Sequence, residues 1–188
     1  MIVIVIDILS ILFLLLVLLW VFVPLIYGRP SIPTTPRRIR KALELVDLQP
    51  NQVLYDLGAG DGRVLLIARR EFGARSIGIE AGLLQCAWIR LRLVAGGLGD
   101  GVQIRWANLY KASIRAADVI FIYPASKEVV KLASYLEKQL KPGARVVSIS
   151  TDFPEWEPAA YNEGDLIFVY DMPPTKGNMM SYLLKKAK

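Results

Sequence analysis

The chain has 188 residues, is 54% hydrophobic and carries 23 Lys+Arg against 17 Asp+Glu, a formal net charge of +6. That length suits one domain with a core of its own, and the apolar share excludes a disordered chain. The absence of histidine excludes His-based acid–base catalysis and His-ligated metal, and the single Cys86 excludes a disulfide framework or a cysteine-rich zinc site.

Ile8 to Tyr27 is a run of 20 residues without a charge, in which only Ser10 and Pro24 are not plainly apolar or aromatic. As a helix it extends about 30 Å, the thickness of a bilayer's hydrocarbon core. Trp20, Phe22 and Tyr27 lie toward its end, where aromatic side chains favour the interface. A cleaved signal peptide fits poorly, because no basic segment precedes the run and no small-residue cleavage site follows it. A core helix that is apolar all round needs a larger protein to cover it. The sequence therefore predicts one transmembrane helix. Only Asp7 precedes the run, whereas Arg29, Arg37, Arg38, Arg40 and Lys41 follow it. The positive-inside rule then puts the rest of the chain on the cytoplasmic, or matrix-equivalent, side of the lipid bilayer. A basic domain is electrostatically comfortable beside an anionic leaflet. No Lys/Arg cluster is interleaved with aromatics, so charge alone does not argue for a nucleic-acid partner.

Gly28 to Pro36 (GRPSIPTTP) is proline-rich and aperiodic, a linker. Thr35-Pro36 reads as an N-cap with proline at the first helical position, opening a helix over Arg37–Val46. Elements then alternate. Strand-like runs occupy Val53–Leu57, Ser76–Ile79, Val102–Trp106, Asp118–Ile122 and Ala144–Ser150. Helical patterns occupy Gly62–Phe72, Leu83–Val94 and Lys127–Leu140. Leu166–Tyr170 and Ser181–Leu184 are apolar runs read as closing strands. Alternation of this kind predicts a mostly parallel sheet covered on both faces.

The chemistry sits at the first strand–helix junction. Residues 53–63 form an apolar strand that runs into D-L-G-A-G-D-G and at once into a helix. Glycines there allow a tight turn and the approach of a ligand without an intervening Cβ. The carboxyl ends of parallel strands are where such sheets bind ligands. The dinucleotide fingerprint G-x-G-x-x-G is broken, because the third glycine comes one position early and Arg63 takes its place; no Gly-Lys-Ser/Thr follows to make a P-loop. Asp56 and Asp61 repel a pyrophosphate but suit a cation that carries ammonium and sulfonium groups. Glu80 ends the second strand, where a carboxylate accepts hydrogen bonds from both hydroxyls of a ribose. This set describes S-adenosylmethionine better than NAD.

From roughly Pro33 to Lys188 the sequence resembles the class I, seven-strand S-adenosylmethionine-dependent methyltransferases. It is similar in particular to a small group of prokaryotic methyltransferases and their membrane-anchored mitochondrial relatives, which methylate lysines of membrane proteins. Thr35-Pro36, Tyr55 to Arg63, Gly78 to Glu80, Leu140 to Ser148 and Asp152 to Pro158 carry this second likeness. The resemblance implies a Rossmann-like α/β sheet of seven strands with helices on both faces, preceded by one N-terminal transmembrane helix. The organisation expected is an anchor over 1–28, a linker over 29–36 and a methyltransferase domain over 37–188.

The resemblance further implies S-adenosylmethionine as cofactor, S-adenosylhomocysteine as product and no metal. Implied cofactor positions are Thr35, Tyr55, Asp56, Gly58, Ala59, Gly60, Asp61, Gly62, Glu80, Ala81, Asn108, Leu109 and Tyr123. Among them the three glycines line the turn under the methionine moiety, Asp56 lies near its amino group and Glu80 holds the ribose. Asn108-Leu109 flanks adenine, with Asn where the family usually has Asp. Tyr123-Pro124 matches the position that faces the methyl group, although Tyr123 reads equally as a core residue. Tyr123, Asp152 and Trp156 are the substrate-side candidates for catalysis.

Thr151–Asp165 contains Pro154 and Pro158 and no helical period, so a loop is expected where the family often has a helix. With Asp152, Trp156 and Glu157 it would cover the active-site mouth, Tyr123, Phe153 and Trp156 walling a channel; its acids read equally as a solvated surface. A lysine acceptor must lose its charge, and an aromatic entrance promotes this by desolvation without a histidine base. The function expected is methylation of a lysine on a membrane protein. The alternatives are a methyltransferase for a lipid, a quinone or another small membrane-associated molecule, and a non-catalytic S-adenosylmethionine-binding protein.

Overall fold

The computed structural model describes residues 2–27 and 34–186, with side chains for residues 3–18 and 34–186. Residues 1 and 28 of the expected anchor, 29–33 of the expected linker and the last two residues of the expected domain lie outside the described residues. Helix α1 (Ile2–Tyr27) has 26 residues and includes the whole apolar run. Its described apolar side chains are 41–69% exposed. Among the described residues no helix is long and apolar enough to cross a membrane, so the expected span is not shown.

Helix α2 (Pro36–Leu45) starts as its sequence dictates: the Thr35 hydroxyl accepts the Arg38 N–H, and Pro36 occupies the first turn. Ile39, Ala42 and Leu43 form its buried face. The Thr34 carbonyl already accepts Arg63 Nη1 at 3.0 Å, so the folded unit reaches back beyond the expected boundary at residue 37.

Seven strands follow: β1 (Val53–Leu57), β2 (Arg75–Glu80), β3 (Val102–Trp106), β4 (Val119–Ile122), β5 (Arg145–Ile149), β6 (Ala160–Asn162) and β7 (Ile167–Asp171). They form one sheet in the order β3-β2-β1-β4-β5-β7-β6. β1 to β5 are mutually parallel, while β7 runs antiparallel to both β5 and β6. The central strands are apolar on both faces because helices cover both. One core packs α2, α3 (Arg63–Phe72) and α4 (Leu83–Ala95) on the sheet through Ile39, Leu43, Leu65 and Ile89. The opposite core packs α5 (Val129–Gln139) through Leu132 and Leu136, together with Phe153, Trp156 and Tyr170.

Three expectations need correction. Ser181–Leu184 is not a strand but part of helix α6 (Met179–Lys186), capped where the Asn178 side chain accepts the Ser181 N–H at 3.0 Å. The strand missing from the expected set is β6, inside the segment read as loop. The turn residues 163–166 fold it back on β7, and Tyr161 stacks on Phe168 at 4.9 Å.

The third correction concerns the segment between β5 and β6. It has no helix, as expected, but it does not roof the crevice with its aromatics. Phe153 and Trp156 are each 1% exposed and stack at 4.3 Å, with Tyr170 edge-on to both. The Trp156 indole donates to Glu137 near the end of α5, at the edge of the sheet opposite the strands' carboxyl ends. Glu157 pairs with Lys185 of α6. Burial and these partners make Trp156 a core residue rather than a substrate-side one. Trp156→Ala is expected to destabilise the full chain in detergent by about 3–5 kcal/mol, read from the urea midpoint. A change within about 0.5 kcal/mol, as for an ordinary surface position, would return Trp156 to the site.

Candidate active site

The strand order reverses between β1 and β4, so a crevice opens at their carboxyl ends. The turn after β1 lines it. Gly58, Gly60 and Gly62 have φ of +96°, +56° and +77°, the left-handed region that side chains disfavour. A Cβ built on Gly58 would meet nothing within 4 Å, so the turn presents bare backbone to open space. Beneath it, Gly58 and Ala59 both donate to the Ile79 carbonyl, at 2.9 and 3.2 Å. A Cβ on Gly78 would lie 2.9 Å from that of Ala59 and 2.8 Å from Leu65 and Ile104. The turn can settle on β2 only because residue 78 has no side chain, a requirement hidden in the motif G-I-E.

Glu80 joins the two sides of the crevice. Its Oε2 accepts the Gly60 N–H and its Oε1 the Gly82 N–H, both at 2.8 Å. Each oxygen keeps a lone pair for a further donor, such as a ribose hydroxyl. Asp56 is 4% exposed and no cation pairs with it among the described residues. Burial above all, then the charges of Glu80 and Asp61, push its carboxyl up to about 8. A buried acid with no partner, beside bare glycine backbone, is a site built for a cation.

Asp61 departs from the expectation of a second free acid. Arg63 grips it through Nε and Nη2 at 2.7–3.0 Å, and Arg92 stands 3.6 Å away. Partial burial raises its pKa, but the hydrogen bonds and charge of Arg63 and the charge of Arg92 outweigh that and hold it below the usual carboxylate range. Its charge is already answered, so it locks the turn to the start of α3 rather than waiting for a ligand.

Ala81, Asn108 and Leu109 gather on the far side of Glu80. Trp106 Nε1 donates to the Ala81 carbonyl at 2.8 Å. Asn108 Oδ1 accepts the Tyr110 N–H at 2.9 Å and caps a short 3₁₀ turn over Leu109–Lys111. Tyr55 does not join them. Strand alternation sends it to the opposite face from Asp56, where it is 2% exposed within the α5-side core. Thr35 is exposed and its hydroxyl is engaged as the cap of α2.

On the other side of the crevice, Tyr123 follows β4 and is 39% exposed. A chain of contacts the sequence did not disclose holds it. Ser150, at a φ of +63°, donates to the Tyr123 hydroxyl at 3.3 Å, and Arg38 Nη2 donates to Ser150 Oγ at 2.7 Å. The Arg38 guanidinium stands 5.8 Å from the Tyr123 ring centroid, and its Nε donates to the Asp165 carbonyl at 2.7 Å. Asp152 is half-buried just beyond, after Thr151 Oγ1 donates to the Pro124 carbonyl at 3.1 Å. An open depression of about 640 Å³ adjoins this end, lined by Arg37, Lys41, Tyr161 and Tyr182 among others.

Asp56 gives the protein a pH signature. An unfolded aspartate loses its proton near pH 4, whereas this one holds it up to about 8. Between those values the folded state binds more protons, so stability is full below about 4 and falls as pH rises to about 8. Asp61 and Asp118 have lowered pKa values, so their contributions change only in acid, and the raised Tyr135 and Tyr170 act only in strong base. The urea midpoint of the full chain in detergent is expected to fall from pH 5 to pH 8, and Asp56→Asn to flatten that slope. Equal slopes in both proteins would contradict the assignment.

Comparison with known proteins gives this geometry a family. The profile of the ANTKMT methyltransferase domain matches residues 56–160, from the buried acid to β6. A protein-lysine N-methyltransferase of Saccharolobus islandicus is 29% identical over 130 residues, 69% of this chain and 81% of that protein. The mouse adenine nucleotide translocase lysine N-methyltransferase is 30% identical over 152 residues, 80% of this chain and 66% of that enzyme. Among solved structures, an RNA methyltransferase from Salinibacter ruber in complex with S-adenosyl-L-homocysteine superposes with a TM-score of 0.73 at 35% identity, covering 79% of this chain and 97% of that one. With the matched profile spanning more than half of its residues, this chain belongs to the ANTKMT methyltransferase domain family and is an S-adenosylmethionine-dependent methyltransferase.

Proposed function

We propose that this enzyme is held to a membrane by α1, with its domain on the cytoplasmic or matrix-equivalent side, and methylates a lysine of a membrane-associated protein. The observation that carries the lysine reading is that relatives matching 69–80% of the chain bear the name lysine N-methyltransferase. Support for the anchor comes from the uncharged 20-residue run within α1 and the cationic residues that follow it.

S-adenosylmethionine supplies a methyl group on a sulfonium, a good leaving group for in-line displacement by an amine. The residues of the crevice fit it. Asp56 offers the only unanswered buried carboxylate of the turn, suited to the ammonium, and the Glu80 oxygens suit the ribose hydroxyls. The bare Gly58–Gly60 backbone would admit the methionine portion, and Ala81, Asn108 and Leu109 would flank the base. The protein's main contribution is alignment, since fixing the nucleophile beside the methyl carbon is worth several kcal/mol. Tyr123 stands where the acceptor nitrogen must approach. Its hydroxyl oxygen, taking one hydrogen bond from Ser150, keeps a lone pair for an amine N–H and so aims the nitrogen's own lone pair at the methyl group. The amine reaches the site neutral through desolvation rather than through a histidine, of which the chain has none.

Two measurements test this assignment. Glu80→Ala removes two charge-assisted acceptors and is expected to weaken cofactor binding by about 2–4 kcal/mol in calorimetry. Arg38→Ala frees Ser150 and Tyr123 and is expected to lower kcat roughly 10- to 100-fold while the cofactor Kd stays as it was, Arg38→Lys recovering part of the loss. A rise in the cofactor Kd with unchanged kcat would place Arg38 on the cofactor instead.

The acceptor is tested with the full chain, labelled cofactor and native membranes. Label is expected in protein and, after acid hydrolysis, in methylated lysine. Label in the lipid fraction, or in RNA as the name of the Salinibacter ruber structure suggests, would overturn the lysine reading.

A further inference from the structure

Helix α4 is apolar on two faces, and the sheet accounts for only one of them. Gln85, Cys86, Ile89 and Leu93 are its buried side. At 100° per residue, Leu83, Ala87, Trp88, Leu91 and Val94 fall on a single outward stripe, with Arg90 along one margin and Arg92 along the other. Along that stripe Leu83 is 52% exposed, Trp88 46%, Leu91 60% and Val94 81%. A solvated helix face normally carries charge, so a continuous stripe of this kind marks a surface that something covers.

The surroundings point to the occupant. Arg70 abuts Gly96 and Arg69 abuts Gly101, at the carboxyl end of α4. Arg69, Arg70 and Arg90 have no carboxylate partner among the described residues, and Asp100 is the one acid in the loop from α4 to β3. Aliphatic side chains and a tryptophan between arginines match an anionic bilayer surface, into which such a face sinks while the guanidiniums meet phosphates. A nucleic acid would call for stacking aromatics along the stripe in place of Leu and Val. Helix α1, the apolar segment itself, comes within 8 Å of α4 between Cα atoms.

We propose that the outer face of α4 lies on the surface of an anionic membrane, through Leu83, Trp88, Leu91 and Val94 with Arg69, Arg70 and Arg90 against the headgroups. This contact shares the membrane with the proposed function but rests neither on insertion of α1 nor on the acceptor.

The test is an environment-sensitive fluorophore on Val94→Cys in the full chain. Cys86 is fully buried and its thiol is pushed up to about 11, so labelling selects the new site. In nanodiscs containing phosphatidylglycerol the emission is expected to shift to the blue, less so in phosphatidylcholine alone. Arg90→Glu with Leu91→Glu is expected to abolish the shift while cofactor affinity, the control for folding, is unchanged. Equal emission in detergent and in both lipids would overturn the proposal. So would a shift produced in detergent by RNA, or one that grows with protein concentration and marks a second copy. Alkaline carbonate separates the anchor from this contact: a chain released by carbonate yet blue-shifted on anionic lipid loses α1 as an anchor and keeps α4 as a docking face.

Discussion

The site depends on how closely the glycine turn approaches β2. Two backbone N–H groups of the turn share the Ile79 carbonyl, Ala59 rests on Gly78, and Glu80 accepts N–H groups from both sides of the crevice. Each bond is worth only about 1 kcal/mol net, more where the acceptor is ionised. Together they fix the direction of β1's carboxyl end, the start of α3 and the entry to α4. The acid suited to the ribose is thus also the clamp that builds the turn. Loss of Glu80 leaves buried N–H groups unsatisfied and misplaces the backbone against which a ligand lies.

Asp56 is the exception within this tidy arrangement. No cation pairs with this buried carboxyl among the described residues, which opposes folding, and a sequence tolerates such a group only where something else benefits. The neighbouring Asp61 shows the alternative: two residues from Arg63 and within reach of Arg92, it is answered from inside the protein. Two acids five residues apart therefore have opposite surroundings, one paired by arginine and one buried without a cation among the described residues. Charge counting along the motif treats them alike. Only the arginine that reaches one and not the other separates them.

What the sequence made legible was whatever is local. The five parallel strands, α2 to α5 and the glycine turn follow from apolar runs, caps and spacing, each a property of a dozen residues or fewer. Two kinds of feature lie beyond such local signals. Ser181–Leu184 is too short a run for its period to tell helix from strand, and the capping Asn178 outside it decided the matter. β6 has three residues and exists because a hairpin turn returns it to β7. Other positions are decided by distant partners. Trp156 resembles a lining residue until Glu137 and Phe153 are seen to hold it in the core. Tyr55 belongs to the motif by position, yet the alternation of its strand turns it away from the crevice. Arg38 looks like one of several basic residues on a helix face; its partner Ser150 lies 112 positions away.

Arg38 also links the parts of the molecule that the proposed function requires to act together. It sits one turn into the helix that follows the linker, and it binds Ser150 beside Tyr123 and the carbonyl of Asp165 in the β6–β7 turn. From Tyr27 to Pro36 the chain reaches at most about 30 Å, so the start of α2 stays within about that distance of the end of α1. A tether that simply raised concentration would not need α2 to close on the site. Here the residue that completes the Tyr123 end of the crevice comes from the segment nearest the proposed anchor, whereas the turn beside Glu80 and its surroundings are built from the residues that follow β1, β2 and β3. The geometry around Tyr123 therefore depends on α2 being seated, because Arg38 holds the Ser150 hydroxyl that donates to Tyr123.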